Sequence, residues 1–314
     1  MTVTLEDIRE AEQLIAPHIV KTPLVHLHPL DQILGTQVYV KLENMQNTHA
    51  FKIRGAMNKI LRLTNEEKEN GIVASSSGNH GQAVAFAAKK LGIHATIVIP
   101  ETATQFKINA IRQHGAEVVF STVEDRFKVT RELSDKFNYT IIPPFDDPHI
   151  TAGQGTIGLE ILDEHFDAVI VPVSGGGLIG GISTALKESG FSGKIIGAEP
   201  ESLPRYSESL KNGRRTKVPT APTIADALVV NEPGKINFPV VQKYVDECVT
   251  VSDSAMQHAQ KLLLTEGKIL SEVSSCIGIA AVLEGTLKFK PDEKICFIIS
   301  GGNLSLNQLN FLEN

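Results

Sequence analysis

A glycine turn after an apolar strand is the first feature that indicates chemistry. Residues 168–173 have the pattern of a buried strand, residues 174–178 (SGGGL) follow, and a helical pattern comes next. Consecutive glycines let backbone N–H groups converge on an anion, and the following helix adds the positive end of its dipole. The turn contains no lysine, so we predict a phosphate cradle that does not hydrolyse nucleotides.

The same turn also fits a dinucleotide-binding pattern. Gly175, Gly177 and Gly180 satisfy G-x-G-x-x-G, and Glu199 ends the next predicted strand, about 20 residues further on. In such sites the acid binds the ribose hydroxyls. The spacing leaves a nicotinamide-dependent oxidoreductase open as an alternative, although no other segment supplies a site for hydride transfer.

Two further strand ends carry small polar residues. Residues 75–80 (SSSGNH) lie between a predicted strand and a helix that starts near Gly81, and their hydroxyl, amide and N–H groups suit a carboxylate. An ordinary helix N-cap needs only one such side chain. Residues 300–303 (SGGN) follow an apolar strand. Because the carboxyl ends of parallel strands meet at one edge of a sheet, we expect these segments to line one crevice.

Lys52 is the candidate nucleophile. Its neighbours Ala50, Phe51 and Ile53 are apolar, and such surroundings desolvate an amine and lower its pKa. A lysine that binds a carbonyl carbon covalently needs that change. Most helical lysines are solvated, so the interest of Lys52 depends on the polar turns described above.

Together these segments resemble the fold-type II family of pyridoxal phosphate (PLP) enzymes, specifically serine/threonine dehydratases and serine racemase. The matching segments are 41–44 (KLEN) with 51–56 (FKIRGA), 76–82 (SSGNHGQ), 152–156 (AGQGT), 174–178 (SGGGL) and 300–303 (SGGN). The likeness runs from about residue 5 to residue 304, and five motifs in order outweigh the dinucleotide pattern. It implies PLP as cofactor, a homodimer, and an α/β fold of two open, twisted, mainly parallel sheets flanked by helices, like that of the tryptophan synthase β subunit.

The resemblance also implies a role for each residue. Lys52 would hold the cofactor covalently and later move the α-proton, with Phe51 beside the ring. Asn79 would hydrogen-bond the phenolic oxygen of the cofactor, and Ser300 would face its pyridine nitrogen. The phosphate would be bound by Gly175, Gly176, Gly177 and Leu178. The substrate would be bound by Ser76, Ser77, Gly78, Asn79, His80 and Arg126.

The expected reaction is elimination from L-serine or L-threonine, which gives a 2-oxo acid and ammonia. A neutral Ser300 does not stabilise a pyridinium as an aspartate would, which favours prompt loss of the β-hydroxyl over transamination. Racemases of this family carry a serine at the position of Ser77, opposite the lysine, so serine racemase and 3-hydroxyaspartate dehydratase stay open as alternatives. A non-enzymatic amino-acid-binding module, which needs no reactive lysine, is a further alternative.

Three segments depart from the family pattern. Metal-binding relatives have a second acid six residues after the equivalent of Glu199, and this chain has Arg205 there. A guanidinium does not ligate a cation, so we expect either no metal site or a charge substitution in which Arg205 pairs with Glu199. His49 and Ala50 stand where glycine and serine are common, and residues 271–275 (SEVSS) differ from the usual Glu-Pro pattern.

The composition is that of a globular protein. The chain has 314 residues, of which 42% are hydrophobic and 21% charged, and a formal net charge of −6, which argues against a nucleic-acid binder. No apolar run reaches the ~20 residues that a membrane span needs. The three well-separated cysteines, Cys248, Cys276 and Cys296, indicate reduced thiols and hence a cytoplasmic protein.

Alternating helix and strand patterns predict the elements that position these motifs. We predict a small, mobile domain of residues 64–145, which carries the substrate loop, and a large PLP-binding domain of residues 1–63 and 146–314. The proline-rich segment 143–148 forms one boundary, because proline pairs block both helix and central strand. Residues 201–235 are rich in Pro, Ser, Lys and Arg and are predicted to form a long surface excursion.

Overall fold

The computed structural model describes residues 2–313. The strands are β1 (Leu24–His26), β2 (Gln37–Leu42), β3 (Ile72–Ser75), β4 (Ala95–Pro100), β5 (Glu117–Ser121), β6 (Thr140–Ile141), β7 (Ala168–Pro172), β8 (Lys194–Pro200), β9 (Glu247–Val251) and β10 (Lys294–Ile299). The helices are α1 (Leu5–Ile15), α2 (His28–Leu34), α3 (Lys52–Leu61), α4 (Asn65–Asn70), α5 (Asn79–Leu91), α6 (Gln105–Arg112), α7 (Arg126–Phe137), α8 (Pro148–Glu160), α9 (Gly177–Glu188), α10 (Arg205–Lys211), α11 (Asn237–Tyr244), α12 (Asp253–Thr265) and α13 (Ile277–Leu283). Within this described part, no helix combines the length and the hydropathy needed to cross a bilayer.

The strands form two sheets. The larger has the order β1-β2-β10-β7-β8-β9 and is parallel except for the antiparallel edge strand β1. The smaller has the order β5-β4-β3-β6 and is parallel throughout. The predicted fold of two mainly parallel sheets flanked by helices is therefore confirmed.

The central strands are apolar on both faces because helices cover both sides of the larger sheet. On β7, Val169 and Val171 pack in one core cluster with Ile179 and Ile182 of α9, whereas Ile170 joins the opposite cluster, with α12 and α13. This alternation is the two-residue period of a strand. The residues that follow β7 start at the edge of the sheet where its parallel strands have their carboxyl ends.

Capping boxes mark two of the helix starts. Thr4 and Asp7 form a capping box at α1, and Thr64 and Glu67 form another at α4. The helix that carries Lys52 begins at that residue and has no side-chain cap. Side-chain-to-backbone hydrogen bonds between residues three apart stabilise the starts of α1 and α4.

Helix α3 packs against the smaller sheet although it lies outside residues 64–145. All strands of the smaller sheet lie within residues 64–145, and all strands of the larger lie outside that range. The core beneath the smaller sheet, however, also takes Ile53 and Met57 from α3, and α3 contacts both α5 and α8. The division into two domains stays a prediction. In that division α3 belongs to the large domain and packs against the small one.

The segment 201–235 differs from the prediction. It contains α10, in which Arg205 and Tyr206 are fully buried. The prediction of a surface excursion is wrong for this helix, because Glu199 and backbone carbonyls surround the guanidinium and make its burial possible. Composition alone did not reveal these partners.

Candidate active site

A cavity of about 370 Å³ lies at the carboxyl ends of strands from both sheets. The last residues of β3, β4 and β7 and the residue after β10 line it, which are Ser75, Pro100, Pro172 and Ser300. This is where open parallel sheets bind ligands. All the predicted catalytic, cofactor and substrate residues line the same cavity: Phe51, Lys52, Ser76, Ser77, Gly78, Asn79, His80, Arg126, Gly175, Gly176, Gly177, Leu178 and Ser300. The structure brings them together, while their individual roles stay predictions.

Lys52 presents its amine to this cavity from the first turn of α3. Its Nζ lies 2.6 Å from the carbonyl oxygen of Pro144 and 5.1 Å from the centre of the Phe51 ring. Burial lowers the pKa of the amine to about 8, since the low-dielectric surroundings disfavour its charged form. A lysine with this pKa is partly neutral near pH 8 and is suited to nucleophilic attack.

Arg54, two residues after Lys52, anchors α3 through buried ion pairs. Its guanidinium lies 2.8 Å from Glu43 and 2.6 Å from Glu160, and Lys41 bonds the same Glu160 at 2.5 Å. Two positive and two negative groups balance one another, so the charges are paired as burial requires. The network fixes the turn of helix from which Lys52 projects.

The glycines of segment 152–156 serve helix packing and do not line the cavity. A Cβ on Gly153 would lie 2.6 Å from the carbonyl oxygen of Arg54, and one on Gly155 would lie 2.9 Å from that of Gly181. Any larger residue would therefore push α8 away from α3 and α9. This motif places the lysine helix and the helix after the glycine turn against the same neighbour.

The glycine turn fits a phosphate group. Gly176 has φ +90°, and α9 begins at Gly177. A Cβ on Gly175 would lie 2.4 Å from the Phe145 ring, and one on Gly176 would lie 1.8 Å from the Tyr206 hydroxyl oxygen. The first N–H groups of α9 have no partner within the helix. A turn of this kind presents several N–H groups to an anion.

The predicted substrate loop precedes α5 directly. The Ser76 hydroxyl accepts a hydrogen bond from the N–H of Gly78 at 3.2 Å, which holds the loop in a tight turn. His80 Nε2 lies 2.8 Å from the Ile142 carbonyl oxygen and donates to it. Burial lowers the pKa of His80 to about 3, so its neutral ring has no proton left for a carboxylate. The backbone N–H of His80, in the first turn of α5, is the group suited to that task.

Asn79 is held from both sides by residues that the sequence did not single out as site residues. Its Nδ2 donates to Glu272 Oε1 and its Oδ1 accepts from Asn303 Nδ2, each at 2.8 Å. Burial raises the pKa of Glu272 to about 8, and the charge of Asp226 adds to the effect. The signals were present, since Asn303 ends the SGGN segment and Glu272 lies in the segment that departs from the family pattern.

Ser300 lies in a neutral hydrogen-bonded corner of the cavity. Its hydroxyl is 3.0 Å from that of Ser275, which bonds both the N–H and the C=O of Gly301 at 2.8 Å. A hydroxyl in this place carries no charge that could stabilise a pyridinium, and the contact of Ser300 with a ring nitrogen stays a prediction.

Charged side chains line the mouth of the cavity. Arg126 donates to the Val123 carbonyl at 2.6 Å and lies over the Phe127 ring at 4.6 Å. Lys107 of α6 pairs with Asp226 at 2.7 Å, which joins the unit of the smaller sheet to a loop of the larger one. The sequence did not reveal this pair, because neither residue belongs to a motif.

Glu199 lies outside the cavity lining and does not serve a dinucleotide. Its carboxylate accepts from the N–H groups of Tyr206 and Ser207 at 2.9 and 2.7 Å and lies 3.8 Å from Arg205 Nε. These bonds cap the start of α10 and occupy the carboxylate outside the cavity, so the dinucleotide interpretation is wrong. The pairing of Glu199 with Arg205, one of the two predicted possibilities, is present. Within residues 2–313, the group of side chains placed to ligate a metal ion is His26, His28 and Asp31, outside this cavity.

Known proteins share both the sequence and the fold of this chain. Residues 15–301 match the family model described as pyridoxal-phosphate dependent enzyme. The L-threonine ammonia-lyase of Thermotoga maritima is 41% identical over 316 residues, covering 99% of this chain and 78% of that protein. The L-threonine dehydratase catabolic TdcB of Staphylococcus aureus is 45% identical over 317 residues, covering 98% and 91%. The solved structure of maize serine racemase superposes with a TM-score of 0.95 at 36% identity, covering 100% of this chain and 97% of that chain.

Proposed function

The chain belongs to the family of pyridoxal-phosphate dependent enzymes, and on that premise we propose that it is an ammonia-lyase acting on L-threonine and L-serine. The products are ammonia and a 2-oxo acid. The observation that carries the proposal is that the buried amine of Lys52 and the glycine turn 174–178 line one cavity. Relatives named L-threonine ammonia-lyase and L-threonine dehydratase, 41% and 45% identical, support this reaction.

The residues that line the cavity have separate roles in the proposed reaction. When bound, PLP supplies an electron sink that acidifies the α-proton of an amino acid. Lys52 would hold the cofactor covalently and later take the α-proton, for which a pKa of about 8 is well matched near neutral pH. The N–H groups of residues 175–178 would bind the phosphate, and Phe51 would lie beside the ring. Asn79, fixed by Glu272 and Asn303, would hold the phenolic oxygen.

The substrate loop binds the carboxylate of the amino acid. The hydroxyls of Ser76 and Ser77, with the N–H groups that open α5, provide donors at a positive helix end. Gly78 shapes the loop by donating its own N–H to the Ser76 hydroxyl. Arg126 contacts the substrate from the mouth of the cavity. A 3-hydroxyaspartate carries a second carboxylate that needs a cation, so activity on that compound depends on how far Arg126 reaches inward.

Racemisation is a second candidate, and a specific observation favours it. Ser77 lines the same cavity as Lys52, and a hydroxyl on the far side of the substrate is suited to return a proton to the opposite face. The TM-score of 0.95 against maize serine racemase is consistent with such an arrangement. Ser77 makes racemisation chemically possible and does not exclude elimination, since an enzyme with both groups can perform both reactions.

A product assay tests the assignment. The purified holoenzyme is incubated with L-threonine, L-serine and L-threo-3-hydroxyaspartate, and both 2-oxo acid and D-amino acid are measured. We expect 2-oxo acid to dominate with L-threonine or L-serine. A D-amino acid as the sole product would reject the lyase assignment. Lys52→Ala is the control, and it should form neither product and give no borohydride-stable label.

We also propose that the protein is a cytoplasmic homodimer. The three cysteines are free, and Cys276 and Cys296 are buried, which suits a reducing compartment. The dimer follows from the family resemblance. Light scattering at micromolar concentration tests the dimer, and a monomer would contradict it. Cell fractionation tests the location, and an exported protein would contradict it.

The proposed small domain, residues 64–145, moves against residues 1–63 and 146–314 and closes over the substrate. The ion pair of Lys107 with Asp226 joins the two units at the cavity mouth, so it would strengthen or break in this motion. Hydrogen exchange of α5 and α6 with and without an unreactive amino acid tests the motion. Equal exchange in both conditions would contradict it.

A further inference from the structure

We propose that Arg205 is a positioning residue whose buried guanidinium holds the carbonyl side of the glycine turn and thereby aims the N–H groups of that turn at the cofactor phosphate. The inference rests on the proposed function, since it concerns how PLP is bound. It assigns a task to a residue that lies outside the lining of the cavity.

The guanidinium of Arg205 donates its hydrogen bonds to backbone carbonyls. Nη2 donates to the carbonyl of Val173, Nε to that of Ser174 at 3.2 Å, and Nη1 to that of Leu203 at 2.8 Å. The first two carbonyls belong to the chain as it leaves β7 and enters the glycine turn. Glu199 balances the charge at 3.8 Å.

Neighbouring groups hold the next carbonyls of the turn. The carbonyl of Gly175 accepts from Gly234 N at 3.1 Å, from the Tyr206 hydroxyl at 3.1 Å and from Asn237 Nδ2 at 3.2 Å. The carbonyl of Gly176 accepts from Gly180 N at 2.8 Å, inside α9. Four successive carbonyls, of residues 173–176, therefore have fixed directions.

Fixed carbonyls fix the N–H groups that follow them. In a trans peptide, the C=O of one residue and the N–H of the next lie in one plane and point in opposite directions. The bonds at Ser174 and Gly175 therefore set the N–H directions of Gly175 and Gly176, and the bond at Gly176 sets that of Gly177. These three residues line the cavity. Donors fixed in advance bind an anion without the cost of reorganisation.

A guanidinium suits this task better than other cations. Its planar fork carries five N–H donors, so it serves three carbonyls in fixed directions, whereas an ammonium acts as a point charge. Replacing a buried ion pair by apolar residues is often neutral or stabilising, so stability alone does not account for the pair of Arg205 and Glu199. The need to fix the directions of the Val173 and Ser174 carbonyls does account for the pair.

The test compares the parent with the double variant Glu199→Gln/Arg205→Met. Because both charges are removed, no unpaired carboxylate is left behind. The apoproteins are titrated with PLP and, separately, with pyridoxal, which lacks the phosphate, and thermal unfolding reports folding. We expect the PLP dissociation constant to rise at least tenfold while the pyridoxal constant changes less than twofold.

Two outcomes would overturn the proposal: a PLP constant within twofold of the parent, or equal losses for PLP and pyridoxal, which would indicate general damage to the cavity. Should the double variant fail to fold, Arg205→Lys decides, because it keeps the charge and loses the fork. Unchanged PLP-over-pyridoxal selectivity in that variant would reject the proposal. If the parent captures no PLP at Lys52, the proposed function is rejected instead. In that case Arg205 is tested by comparing how much inorganic phosphate stabilises the parent and the variant against unfolding.

Discussion

The Lys52 amine donates a hydrogen bond to the Pro144 carbonyl, with 2.6 Å between Nζ and O. Lys52 opens α3, and Pro144 lies in the segment between β6 and α8, which leads from the smaller sheet back to the larger one. The bond therefore ties the proposed base to the junction of the two units. Because the amine donates one N–H to this carbonyl, its lone pair stays available for attack on an aldehyde once the amine is neutral.

The first prediction concerns the pH dependence of cofactor capture. Burial lowers the pKa of Lys52 to about 8, and only the neutral amine attacks an aldehyde. The rate at which the apoprotein binds PLP covalently should rise about tenfold per pH unit below pH 8 and level off above it. Stopped-flow absorbance measures the rate. Nα-acetyl-lysine, with an ordinary amine, corrects for the titration of PLP itself, and a protein rate that still climbs tenfold per unit above pH 9 would contradict the shifted pKa.

The second prediction separates the two reactions at Ser77. Ser77→Ala should reduce D-serine formation from L-serine at least tenfold, because general acid–base groups contribute about 10²–10⁴-fold, and should change 2-oxo acid formation far less. Chiral chromatography and a keto-acid assay give the ratio of products. Ser76→Ala is the matched control: it loses the bond to the Gly78 N–H and should slow both products equally. A constant product ratio in Ser77→Ala would remove Ser77 from the proton path.

The third prediction concerns the backbone at Gly176. Gly176→Ala should lower the free energy of unfolding of the apoprotein by at least about 2 kcal/mol, because φ is +90° and the new Cβ would meet the Tyr206 hydroxyl. Urea denaturation measures this loss. Gly177→Ala is the control, since its Cβ would make only ordinary van der Waals contacts, the shortest of them 3.5 Å to the Phe145 Cβ, and it should stay within about 1 kcal/mol of the parent. Equal stability of the two variants would show that the turn adjusts freely.

The fourth prediction concerns Glu272, whose pKa burial raises from 4.5 to about 8. Between these pH values the folded state keeps a proton that the unfolded state has lost, so the free energy of unfolding falls as pH rises from about 4.5 to about 8. Glu272→Gln has no carboxyl group at this position and should not show this decline. Between pH 5 and pH 8, its free energy of unfolding should rise by at least about 1 kcal/mol relative to that of the parent. Urea denaturation at both pH values measures the gain, with Glu201→Gln at an exposed glutamate as control. Parallel pH profiles would show that Glu272 is not held protonated.

Local features explain why so much of the site was predictable from the sequence. The glycine turn, the polar loop before α5 and the SGGN segment each follow an apolar strand, and strands of parallel sheets end at one edge. Lys52 has apolar neighbours in sequence and a depressed pKa in the structure. The same reasoning failed at Glu199, because its spacing from the glycines is identical whether the acid binds a ribose or caps α10.

The sequence by itself determined the strand-to-turn junctions, the capped helix starts and the type of chemistry, since each depends on residues close together in the chain. Only the tertiary structure decided which side chains stand behind the turns. Asn79 meets Glu272 and Asn303 across separations of 193 and 224 residues, and Arg205 meets the carbonyls of residues 173 and 174 from a helix with the composition of a surface loop. Such contacts follow from how sheets and helices pack. The hydrophobic period of a segment reports that it is buried but not which partners it is buried against.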